Sequence, residues 1–72
     1  MEIHDVMREM MVGRQRDIAD RMGIRESTLS DKLSRRSDLK VSTLVRYCEA
    51  NGCELVVRGE REWVIDATGK DI

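Results

Sequence analysis

Apolar residues near the start of the chain recur in steps of three and four: Ile3, Val6, Met7, Met10 and Met11. That spacing places them on one face of an amphipathic helix, and Gly13 is its expected stop. The methionines read as core filling, because an unbranched thioether adapts to irregular gaps. Ile18, Ala19 and Met22 repeat the helical pattern from Gln15 onward, and Gly23 suits the left-handed conformation that closes a helix. In the run from Glu26 to Ser34 only Leu29 and Leu33 are apolar, one turn apart, which predicts a short helix with a narrow inner seam and a polar outer face. Arg35 to Lys40 reads as a basic loop anchored by Leu39. A fourth helix opens at Val41 or Ser42, with Leu44, Val45 and Cys48 facing inward and Tyr47 partly so, and Asn51-Gly52 is its stop.

Beyond Gly52 the period changes. Cys53 to Arg58 alternates and is rich in β-branched residues, as a strand would be. Arg58-Gly59-Glu60-Arg61 can turn into a second strand, Glu62 to Asp66. The expected organisation is a helical domain over 1–52, a β element over 53–66 and a flexible tail over 67–72. The fold class is mainly α with a small C-terminal β element.

At 72 residues this is one small domain. Chains near this length bury only ~60% of the surface they expose when unfolded, so disulfides, metal or a partner subunit commonly assist. Cys48 and Cys53 are five apart, and the charged opening Met1-Glu2-Ile3-His4-Asp5 does not resemble a secretory segment, so a disulfide framework is not expected. Two cysteines and a distant His4 form no metal-ligand spacing, and no cofactor motif is present. No run approaches a membrane span. The expectation is a cytoplasmic protein, and a second subunit is the remaining support.

Net charge is −1, but its distribution is uneven. Residues 25–46 carry six basic groups against three acidic, whereas both flanks are net negative. One tryptophan, one tyrosine and no phenylalanine argue against a stacking platform for single strands or RNA.

The informative segment is Gln15-x-x-x-Ala19-x-x-x-Gly23-x-x-x-x-x-Leu29. A small Ala19 admits a crossing helix, Gly23 turns the chain, and Leu29 pins the second helix onto the first, as a helix-turn-helix requires. With Gln15 to Ile24 and Ser27-Thr28-Leu29-Ser30, the chain resembles the lambda repressor/Cro (XRE) family of helix-turn-helix regulators over about residues 3–52. The resemblance implies a lambda repressor-like four-helix domain whose third helix enters the major groove of double-stranded DNA. It implies base reading by Glu26, Ser27 and Asp31, with Thr28 and Ser30 nearby, and a phosphate grip by Gln15. The chain departs from the family in having Arg25 rather than Ser or Thr as the cap, and Ser34-Arg35-Arg36 where glycine is usual.

Charge adds phosphate candidates independently: Arg14, Arg25, Lys32, Arg35, Arg36 and Lys40. Backbone N–H groups near Gln15 and near Ser42-Thr43 also favour an anion. Glu26 and Asp31 are pure acceptors and would select a cytosine amino group; the alternative is pairing with Arg25, Lys32 or Arg35 on a solvated face.

An isolated two-stranded hairpin is hardly stable in water. The strands are therefore expected to pair across a two-fold axis, burying Leu55, Val57, Trp63 and Ile65 in a homodimer, similar to the C-terminal strand lid of HipB-type antitoxin dimers. The alternative is a hairpin within one chain. Two functions follow: a sequence-specific transcriptional regulator, most simply a repressor, or an antitoxin whose acidic C-terminal third meets a toxin or other protein. An enzyme is not expected. His4 reads as a solvated residue of a helix end, Cys48 as a small core residue, and Cys53 as packed or interfacial.

Overall fold

The computed structural model describes residues 1–34 and 38–66. The order of elements is α1 (Ile3–Met10), α2 (Gln15–Met22), α3 (Glu26–Lys32), α4 (Val41–Ala50), β1 (Leu55–Arg58) and β2 (Glu62–Ile65). The protein is thus mainly helical with a small C-terminal sheet. The described residues fall into two compact units, one over Met1–Leu39 and one beginning at Lys40. Arg35, Arg36 and the tail expected over 67–72 lie outside the described residues.

In the first unit, Met7, Ile18, Ala19, Leu29 and Leu33 are buried. They are the residues the helical spacing turns inward, and full burial of a Leu, Ile or Met contributes about 1.5–3 kcal/mol. α2 packs on α3. Gly23, left-handed at φ 72°, closes α2. The Ile24 N–H donates to the Ala19 carbonyl at 3.0 Å and the Gly23 N–H to the Asp20 carbonyl at 3.1 Å. These two bonds form a Schellman motif, satisfying carbonyls the helix leaves open. Only Gly23, Ile24 and Arg25 separate the two helices.

α1 begins on Glu2, whose carboxylate accepts from the His4 backbone N–H at 3.1 Å and from the His4 ring at Nδ1. His4 is buried, at 5% exposure, and so is not the solvated residue its terminal position predicts. A buried imidazole is tolerated because its ring nitrogen has a partner. The carboxylate can only accept, so Nδ1 carries the proton. α1 ends at Met10, with Met11 already extended, three residues before Gly13 at φ 95°.

In the second unit, α4 buries Val45, Tyr47 and Cys48. Tyr47 is wholly buried rather than partly so. Asn51 caps the helix twice, through its backbone N–H to the Tyr47 carbonyl at 3.2 Å and its side-chain amide to the same carbonyl at 2.8 Å. α4 packs against β1. β1 starts at Leu55 rather than Cys53, because the Cys53 N–H is committed to the Cys48 carbonyl at 2.8 Å. Cys53 is exposed in the single chain, not packed.

The strands pair antiparallel with each other, within the chain: Leu55↔Ile65, Val56↔Val64, Val57↔Trp63 and Arg58↔Glu62. The alternative of a hairpin in one chain is therefore the arrangement found, and one edge of each strand stays open. Since opposed residues project to the same side, Leu55, Val57, Trp63 and Ile65 share one face. Leu55 and Ile65 are half-buried there, while Val57 and Trp63 are exposed.

Candidate nucleic-acid interface

Leu29 and Leu33 decide which way α3 faces. Both are buried, at 0% and 3% exposure, so the rest of the helix is turned outward. Glu26, Ser27, Ser30 and Asp31 are exposed, and Thr28 is half-buried at the edge of the seam. The five expected base-reading residues thus lie on one short helix, four of them in solvent. Among the described residues no ion pair joins Glu26 or Asp31 to Arg25 or Lys32, so the solvated pairing has not formed with those two cations.

Gln15 opens α2, and its side-chain amide donates to the Glu26 carbonyl at 3.5 Å. That long bond brings the first residue of α2 beside the first turn of α3. Arg14 and Arg25 are the residues preceding α2 and α3, both exposed, and neither helix receives a side-chain cap. The first N–H groups of both helices therefore lie beside a cation and without a side-chain acceptor, a local field that attracts anions. Lys32 is half-buried in the last turn of α3. In the second unit, Lys40 precedes α4, likewise without a side-chain cap, and Ser42 and Thr43 are half-buried in its first turn. Arg14, Gln15, Arg25 and Lys32 are brought to the α2–α3 pair; Lys40, Ser42 and Thr43 belong to the other unit.

One residue of this region escaped the sequence reading. Arg8, on α1, donates through Nε and Nη2 to the Leu33 carbonyl at 3.4 and 3.2 Å. It supplies a cationic cap to the C-terminus of α3. Arg8 and Leu33 are 25 residues apart, and no local pattern links them.

Among the described residues no group of three or more His, Cys, Asp or Glu side chains could hold a metal ion. No helix of the described residues is long and apolar enough to cross a membrane. The second unit contains a cavity of about 160 Å³ lined by α4 and both strands, with Cys48 and Cys53 in its wall. No family model, curated protein or solved structure matches the chain.

Proposed function

We propose that this chain is a helix-turn-helix regulator of the lambda repressor/Cro class, acting in the cytoplasm as a repressor on double-stranded DNA. The observation that carries this reading is the outward polar face of α3, held by two buried leucines. In the docked state α3 enters the major groove, and Glu26, Ser27 and Asp31 meet base edges. Arg14, Gln15, Arg25 and Lys32 contact phosphates beside them, which positions the helix without reading sequence. Arg35, Arg36, Lys40, Ser42 and Thr43 are further phosphate candidates on their chemistry alone. A second copy joined through the hairpin doubles the basic footprint and sets two recognition helices about 34 Å apart, matching a near-palindromic site.

The test is binding to the DNA upstream of the chain's own gene at about 50 and 200 mM salt, where an electrostatic interface loses affinity steeply. Arg25→Ala with Lys32→Ala should weaken all sequences alike and flatten the salt slope. Ser27→Ala should instead relax choice at one base pair. Unchanged binding by both variants would remove the assignment of α3.

A second reading draws on the hairpin. Val57 and Trp63 are 53% and 45% exposed on a strand pair flanked by Glu54, Glu60, Glu62 and Asp66. That surface suits a partner with basic and apolar groups, as an antitoxin presents to its toxin. Retention of such a partner together with loss of all DNA binding would favour this function over the first.

A further inference from the structure

The end of α4 brings the chain's two cysteines into one turn. Gly52 is left-handed at φ 70°. Its N–H donates to the Glu49 carbonyl at 3.0 Å, and the Cys53 N–H donates to the Cys48 carbonyl at 2.8 Å. This is the same Schellman pair that closes α2, and the motif commonly sets the residue after the glycine against the one five positions earlier. At α2 that pair is Ile24 and Ala19, both apolar residues. At α4 it is two thiols.

The 2.8 Å bond from the Cys53 N–H to the Cys48 carbonyl sets the two residues' backbones against each other, and a disulfide needs its α-carbons within roughly 4.4–6.8 Å. Both sulfurs are free thiols, and both residues line the same cavity beside Val45, Leu55 and Ile65. Their exposure differs: Cys48 is buried and Cys53 is open to solvent. Burial foremost, then the neighbouring charges of Cys53 and Glu49, push the Cys48 thiol above its ordinary range. Cys48 is thus protected from oxidants in solution yet adjacent to a thiol that is not.

We propose that Cys53 and Cys48 form a thiol-modification site in which hydrogen peroxide drives a reversible disulfide across the α4–β1 turn. The Cys53 thiolate attacks one peroxide oxygen, the O–O bond breaks, and the other oxygen leaves as water after taking a proton. Cys53 is then a sulfenic acid. The Cys48 sulfur gives up its proton and attacks the sulfenic sulfur; the S–S bond forms and the hydroxyl leaves as a second water. The two thiols lose two electrons and the peroxide gains them. A thiol reductant returns both cysteines by exchange. The closed ring ties the last turn of α4 to the segment just before β1 and alters the wall of the cavity.

The test uses the full chain, reduced and desalted, then treated with hydrogen peroxide and examined by intact mass without reductant and by thiol titration. The expected product is a monomer about 2 Da lighter with no titratable thiol, restored by dithiothreitol and carrying a Cys48–Cys53 crosslinked peptide. Cys53→Ser, a change at an exposed position, should leave the remaining thiol unreacted at the same peroxide dose. A covalent dimer through Cys53 as the main product, a sulfinic acid in place of the crosslink, or two surviving thiols would each overturn the proposal.

Discussion

Glu2 serves two groups of one neighbour, the His4 backbone N–H and the His4 ring. The ring's hydrogen bond is the foremost reason that the Glu2 carboxyl titrates below its ordinary range; desolvation works against it, and the backbone bond adds to it. A carboxyl depressed in the fold stabilises the protein above its unfolded pKa, about 4.3 for glutamate, and loses that contribution as pH falls through the lower, folded value. Glu2→Gln should therefore unfold at a lower urea concentration than the parent near neutrality. The gap should close as pH drops from about 5 to 3. Parallel curves would mean that the cap contributes nothing. The same contact gives the buried His4 ring a partner at Nδ1.

α3 is seven residues long, too short to persist alone in water. It has no side-chain cap at its start, and its end depends on Arg8 from another helix. Arg8→Met keeps the side chain's apolar stem and removes the guanidinium; it should cost about 1 kcal/mol, from lost hydrogen bonds to a helix C-terminus. A urea midpoint equal to the parent's would show that solvent serves the Leu33 carbonyl as well. The extent of α2 and the start of α3 were legible in the sequence because their determinants are local: Gly23 needs positive φ, and Leu29 and Leu33 share one face; α3 ends at Lys32, two residues short of the expected Ser34, with Leu33 as its cap. The exposed polar face of α3 followed from the same two leucines. The cap from Arg8, the burial of His4 and the complete burial of Tyr47 were not legible, since each depends on chain segments meeting in space. The hairpin was legible as two strands, but periodicity carries no information on which strand accepts which. Cys53 read as a strand residue because its turn role depends on a bond to Cys48 that spacing alone does not reveal.

At the scale of the whole molecule, a charge of −1 conceals a basic middle third between acidic flanks. The hairpin adds a second asymmetry: Val56, Val57, Trp63 and Val64 are exposed on a sheet of two strands with open edges. Its internal ties are modest. The Arg58–Glu62 pair at 2.8 Å lies in solvent, where such pairs contribute about 0–1 kcal/mol, and the Arg61 guanidinium sits 5.1 Å over the Trp63 ring. The protein should sediment as a dimer at micromolar concentration, and Val57→Ser with Trp63→Ser should shift it to the monomer mass while leaving the helical circular dichroism intact. A parent that sediments as a monomer would end the two-fold arrangement. Charge also brackets each apolar strand: Glu54 and Arg58 bound the first, Glu62 and Asp66 the second. Charges that flank an apolar strand act as gatekeepers against edge-to-edge aggregation: any chain that pairs with an open edge of this hairpin must lay its own strand ends beside these ions and strip them of water.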